Sequence, residues 1–254
     1  MQLYFGRHDG QAVTIEDFYA CFEEVSGQDL SGFRRWYAQP GTPTITVKEE
    51  WNEATGTLTA HLVQSNPKTP GNDDPQPLPM PIRAAAFSRG GKKINETTIL
   101  LDQVKIVWTL IGLQSRPLIS LNRTFSAPVH LKHDMPDADR MALAIMDDDR
   151  FNQWDSLQTL LRRDLLAVAY EGKAGVDADL LFAIAQAART AKDDPAFAAL
   201  LLRLPDIGEL FQHHTPADPV ALNRARTQAR AALGGLVLED AVAALSRPTP
   251  TPFA

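Results

Sequence analysis

At 254 residues, with 44% hydrophobic and 22% charged positions, the chain has the balance of a globular protein large enough for two domains. Its 25 basic residues against 31 acidic ones leave a formal charge of -6, and no dense basic run is interleaved with aromatics, which argues against a nucleic-acid partner. A single cysteine, Cys21, excludes an intrachain disulfide, and neither a leader after Met1 nor a membrane-length apolar run is present, so the expectation is a cytoplasmic protein with no membrane partner.

Residues 14 to 25 place Ile15, Phe18, Tyr19, Phe22 and Val25 at helical spacing, with Thr14 as N-cap, Asp17 three places on and Gly27 as the stop. Cys21 falls on this helix with no cation adjacent and reads as a small core filler. A second short helix is expected from about Leu30, with Phe33 and Trp36 on one stripe, ending at Gln39-Pro40-Gly41. Two helices of this size cannot bury their own stripes. They are expected to pack on something else, with Trp36 turned to a core and Arg34 and Arg35 to an interface.

From Thr42 the period becomes alternating. Thr44-Ile45-Thr46-Val47 and Thr57 to Val63 read as strands around an Asn52-to-Gly56 turn. A loop from Asn66 to Pro81 carries six prolines and cannot be a helix or a central strand; it is where limited proteolysis is expected to cut. Extended pattern resumes at Ile82 to Phe87, Thr97 to Leu101, Val104 to Trp108 and Leu118 to Leu121, and ends at Val129-His130-Leu131. Roughly seven short strands over about 90 residues is the pattern of a β-sandwich.

Beyond His133 to Asp137 alanine and leucine take over. Trp154, Leu157, Leu160, Leu161, Leu165 and Val168 form one helical stripe; Leu180, Leu181, Ile184 and Ala188 form another, and Leu222, Ala225, Ala229 and Leu233 a third. Asp218-Pro219 has the chemistry of a helix start. Helices with brief breaks imply a helical repeat array. The fold class is therefore an immunoglobulin-like β-sandwich followed by an α-helical repeat array, with two short helices at the N-terminus.

None of the six histidines (His8, His61, His130, His133, His213, His214) precedes a glutamate, so the zincin H-E-x-x-H is absent. His130 and His133, three apart on a strand, point to opposite faces, and His213-His214 sit in a Thr-Pro-flanked loop; surface or hinge roles are expected for both pairs. No G-x-S-x-G occurs, and Gly27 to Gly32 lacks the lysine of a phosphate loop. Asp147-Asp148-Asp149 and Asp193-Asp194 read as solvated helix caps rather than a cation site. No catalytic, cofactor-binding or metal residue is assigned.

Four segments nevertheless carry a family resemblance. Leu3-Tyr4-Phe5 with Arg7 to Gly10, followed by Phe33 to Tyr37, Gln39 and Gly41-Thr42-Pro43, resembles the end of the catalytic domain of the aminopeptidase N family. Phe125-Ser126-Ala127-Pro128-Val129 resembles the close of that family's β-sandwich. Phe151-Asn152-x-Trp154-Asp155 and Asp218-Pro219-x-Ala221-Leu222-x-x-Ala225-Arg226 are similar to its C-terminal helical domain. The resemblance implies residues 1–41 as the helical tail of an upstream catalytic domain, 42–133 as the β-sandwich and 134–254 as an armadillo-like helical domain, truncated. It implies a parent enzyme that uses zinc to remove N-terminal residues from short peptides, with the zinc held upstream and none in this chain. On that resemblance the chain itself is expected to be the non-catalytic scaffold and part of the substrate chamber, its partner the missing catalytic domain. The alternative is a free-standing protein-interaction module of the same two folds. Apolar stripes left uncovered at both ends (Phe18, Phe22 and Trp36; Leu236, Leu238, Val242 and Leu245) lead to an expectation of self-association or of a tail from Arg247 to Ala254 folded back on the array.

Overall fold

The computed structural model describes residues 1–191 and 193–245; the tail from Arg247 to Ala254 and the Leu245 side chain, on which the last expectation rests, lie outside the described residues. The chain divides into two compact units that interleave in sequence.

The first unit takes Met1–Ile82, Thr98–Leu113 and Ser126–His133. It opens with three helices, α1 (Gln2–His8), α2 (Ile15–Ser26) and α3 (Ser31–Ala38). The Thr14 side chain and Asp17 form the reciprocal capping box, and Gly27 closes α2 at φ 63°, a left-handed conformation that glycine adopts without strain. The first helix was not legible in advance. Its seven residues include Gly6 at mid-helix, and none of them is buried.

A four-stranded sheet follows in the order β5-β2-β1-β7, from β1 (Thr44–Asn52), β2 (Thr57–Ser65), β5 (Lys105–Leu110) and β7 (His130–His133). β1 and β2 are antiparallel from Thr44↔Ser65 to Asn52↔Thr57, while β7 runs parallel to β1 from Thr44↔His130 to Val47↔His133. Strand alternation buries Ile45, Val47, Leu58, Ala60 and Leu62 on one face and leaves threonines on the other. The hairpin demands glycine at position 56, because φ is 59° and a Cβ there would meet the Leu113 carbonyl oxygen at 2.3 Å.

The proline-rich loop is not loose. Gln64, buried at the end of β2, accepts from the Leu78 amide through Oε1 (2.9 Å) and donates through Nε2 to the carbonyls of Leu78 (3.2 Å) and Gln103 (2.7 Å). From α3, Gln39 exchanges two hydrogen bonds with the Gln76 backbone, and Trp36 Nε1 donates to the Pro79 carbonyl at 2.8 Å. A segment whose prolines remove backbone donors is thus held by side-chain amides and an indole instead.

The second unit takes Arg83–Thr97, Gln114–Phe125 and the residues from Asp134 onward. β3 (Met80–Phe87), β4 (Lys93–Leu101) and β6 (Leu118–Leu121) form a three-stranded sheet in the order β4-β3-β6. Ala85, Phe87 and Leu118 pack with Met135 and with Leu143 of α4 (Asp137–Met146), so the first helix after the strands is seated on them.

The array continues through α5 (Arg150–Tyr170), α6 (Ala178–Thr190), α7 (Pro195–Leu201), α8 (Ile207–Phe211) and α9 (Pro219–Leu245). Leu157, Leu161 and Leu165 meet Leu180, Ile184, Leu222, Ala225 and Ala229 in one core. Each fully buried leucine contributes about 1.5–3 kcal/mol. Five of these helices start on an aspartate that accepts from a backbone amide one turn ahead: Asp149, Asp177, Asp194, Asp206 and Asp218. Among the uncovered apolar residues, Phe22, Leu236, Leu238 and Val242 are exposed.

Candidate functional site

The six histidines do not converge. His130 is exposed, His61 lies 3.5 Å from Glu50, and His214 stacks on Tyr170 with ring centroids 3.7 Å apart. His133 departs from the surface role expected of it: its imidazole is nearly buried, and Nε2 lies 2.6 Å from Glu49 Oε1. Among the described residues no three of histidine, cysteine, aspartate and glutamate stand together as a metal set. Cys21 is buried in the first unit and is a free thiol.

The densest polar constellation lies in the second unit around Arg123. This residue follows β6 in a 3₁₀ turn (Arg123–Phe125) where Asn122, Thr124 and Phe125 all adopt φ between 52° and 56°. For Thr124 and Phe125 that conformation is uncommon and costly, so the surrounding contacts must hold it. They do. The Arg123 guanidinium, 4% exposed, lies 5.6 Å from the Phe87 ring and donates to Ser120 Oγ (3.2 Å), to Asp147 Oδ1 (2.6 Å) and to Asp148. Asp149 then accepts from the Thr124 amide through Oδ2 (2.9 Å) while capping α5 through Oδ1. Asn152 completes the knot by donating to Ser120 Oγ (2.6 Å) and to the Leu121 carbonyl (2.9 Å).

The aspartate run is therefore not a set of solvated caps, which corrects the expectation. Asp149 is a cap, but Asp147 is buried with its side chain closed to solvent, and the cation it meets is an arginine. Burial pushes the Asp147 carboxyl upward, opposed by hydrogen bonds from Ser120, the Asp149 amide and Arg123. Asp148, half-exposed, is held below the usual carboxylate range chiefly by the hydrogen bond from Lys93, whose ammonium also reaches Glu96 at 2.7 Å.

Two of the resembling segments meet at this knot. Phe125 and Phe151 lie 5.2 Å apart, Phe151 touches Trp154 at 6.0 Å, and Asn152 carries the bonds just described. Asp155, the last residue of that segment, has its carboxyl pushed up by burial against the pull of Arg140 and Arg162. A guanidinium so enclosed presents nothing to a substrate. The knot fixes the turn after β6 to the start of α5, and its role is positional. Sequence reasoning had no signal for Arg123, because its partners stand 24 and 25 positions away.

The same unit carries an apolar concavity of about 610 Å³, lined by Met141, Ile145, Leu157, Phe182 and Phe197 with Arg150 and Asp179 at hand. Arg150 stacks over Phe197 at 5.2 Å and pairs with Asp194, so its charge is already engaged.

Comparison with known proteins agrees with this geometry. Residues 41–134 match the family described as a domain of unknown function (DUF3458) with an Ig-like fold, and residues 137–252 match its companion (DUF3458_C), described as ARM repeats. The chain is 42% identical over 231 residues to aminopeptidase N of Caulobacter vibrioides and 34% identical over 239 residues to that of Escherichia coli strain K12, covering 90% and 89% of itself. The chain is a homologue of one part of aminopeptidase N. Its architecture is an immunoglobulin-like β-domain followed by a helical-repeat domain. It spans 27% of the length of either relative. Among solved structures, aminopeptidase A of Legionella pneumophila, in complex with aspartic acid, superposes with a TM-score of 0.80 at 25% identity, covering 98% of this chain and 29% of that one. The donor set present here does not fit the zinc that the family resemblance implies: no histidine precedes a glutamate, and the described residues bring no three suitable ligands together.

Proposed function

We propose that this homologue of one part of aminopeptidase N is a non-catalytic scaffold and substrate-chamber portion of a zinc-dependent aminopeptidase that removes N-terminal residues from short peptides. The observation that carries the reading is the match to aminopeptidase N across nine-tenths of a chain without the H-E-x-x-H ligand set. The β-domain serves as a support for the catalytic portion, its natural partner, and the helical array as part of the wall that confines peptide substrates. The closed Arg123 knot suits that role, since it rigidifies a junction and offers no reactive group.

The test is turnover of alanyl and leucyl anilides by the purified chain with added zinc, beside a full-length aminopeptidase N as positive control. The expected result is no turnover by the chain and no retained stoichiometric zinc after mild chelation. Robust hydrolysis would overturn the reading. No helix among the described residues is long and apolar enough to cross a membrane.

A further inference from the structure

The helical unit carries a second concavity, of about 380 Å³, between α9 and the connector that joins α7 to α8. On α9, Arg226, Arg230, Gly234 and Val237 recur at helical spacing, so one face of that helix presents two guanidinium groups and then an apolar stretch that includes Leu233. The facing wall is the connector itself, with Leu204 and Arg203. Two bonds brace it: Gln158 Nε2 donates to the Arg203 carbonyl at 2.9 Å, and Arg226 Nε donates to the Pro205 carbonyl at 2.6 Å.

The charge balance at this cleft is unlike its surroundings. Arg150, Arg162, Arg163 and Arg189 of the same unit each pair with a carboxylate. Arg203, Arg226 and Arg230 form no ion pair among the described residues. The one acidic residue lining the cleft, Asp206, is committed to capping α8, accepting from the Glu209 amide at 2.8 Å. In a chain whose formal charge is -6, three arginines thus converge on one concavity against a single carboxylate, Asp206, that pairs with none of them. Uncompensated like charges repel, and an anion placed among them removes that repulsion while accepting charge-assisted bonds. Gly234 leaves room, because a Cβ added there meets nothing within 4 Å.

We infer that this cleft binds a small organic anion, a carboxylate carried on an apolar body, with the guanidinium groups taking the carboxylate and Leu204, Leu233 and Val237 taking the apolar part. Guanidinium forks suit carboxylates because two parallel N–H bonds match the two oxygens. The cleft's volume lies in the range of small-ligand sites. The inference does not depend on the peptidase reading.

The test is calorimetric titration of the whole chain with N-acetyl-leucine, N-acetyl-leucinamide and inorganic phosphate. Saturable one-to-one binding of N-acetyl-leucine is expected, with the amide at least about tenfold weaker because it lacks the charge. Phosphate, which lacks the apolar body, is expected to bind more weakly than N-acetyl-leucine. Arg230→Gln, at an exposed position, is expected to weaken N-acetyl-leucine about tenfold, and Gly234→Met to do the same by filling the cleft with every arginine kept. Arg224→Gln, exposed on the same helix outside the cleft, is expected to leave binding unchanged, and circular dichroism checks that all variants keep their helices. The inference is overturned by an amide that binds as well as the acid, by phosphate that binds as tightly as N-acetyl-leucine, by absent saturation, or by Arg230→Gln and Gly234→Met variants that titrate like the parent chain.

Discussion

Removing the guanidinium at position 123 tests whether the knot around it holds the helical unit together. In Arg123→Met the Asp147 side chain, with none of its surface open to solvent, keeps the Asp149 amide and the Ser120 hydroxyl as donors but loses its only cation, and Oδ2 has no partner to substitute. Leaving one member of a buried pair without its partner costs about 3–5 kcal/mol. That is a large part of the roughly 5–15 kcal/mol that holds a domain folded. At a urea dependence of about 2 kcal/mol per molar, the midpoint of the helical transition falls by about 2 M. Asp147→Asn added to Arg123→Met removes the stranded charge while an amide oxygen still accepts from the Asp149 amide. The double variant is therefore expected to recover at least about 2 kcal/mol relative to Arg123→Met alone. Urea unfolding followed by circular dichroism reads both quantities. A cost below about 1 kcal/mol for Arg123→Met, or strictly additive costs in the double variant, would refute the claim that this pair carries the junction.

Two further outcomes follow from other bonds. Gln64→Leu keeps the side chain's bulk in the core but strips partners from the Leu78 amide and from the Leu78 and Gln103 carbonyls; a loss of at least about 2 kcal/mol is expected, together with fast hydrogen exchange at the Leu78 amide, and an amide as protected as before would contradict the bracing role. Asp148, whose carboxyl is depressed mainly by Lys93, adds stability that is present above its ordinary value of 3.8 and lost as pH falls through the folded value. Asp148→Asn is accordingly expected to lower stability slightly at pH 7, by less than about 1 kcal/mol because the group is half-exposed, and to converge with the parent chain once pH has fallen below the folded value; a gap that persists unchanged into strong acid would show that the charge is not the cause.

How much of this was legible depended on how far apart in sequence the interacting groups stand. Helix α2 was readable to its caps because Thr14, Asp17 and Gly27 act within a turn of themselves, and the strands were readable because burial alternates along each one. The stripe of α5 was legible for the same local reason, and Leu157, Leu160, Leu161 and Leu165 are all buried. Asp218 is legible as a cap because Pro219 follows it, and Asp149 as one of a run of caps at a helix start, whereas the burial of its neighbour Asp147 against Arg123 leaves no local sign. Asp149 and Asp218 cap in the same way. Counting prolines shows what the 66–81 loop cannot be but not what restrains it, because its restraints come from Gln39, Gln64 and Trp36 in other elements.

The Arg123 knot and the arginine cleft lie at the far end of that scale. An arginine's role depends on which carboxylates folding brings to it, and nothing within a few residues of Arg123 or Arg230 records that. One is enclosed by Asp147 and Asp148, and the other faces a cleft without a paired carboxylate. Paired and closed to solvent, a guanidinium is spent on holding the fold. Unpaired at the rim of a concavity, it retains the capacity to bind, and for that reason the chain's most elaborate polar network serves its fold while its least satisfied one is left to meet a ligand.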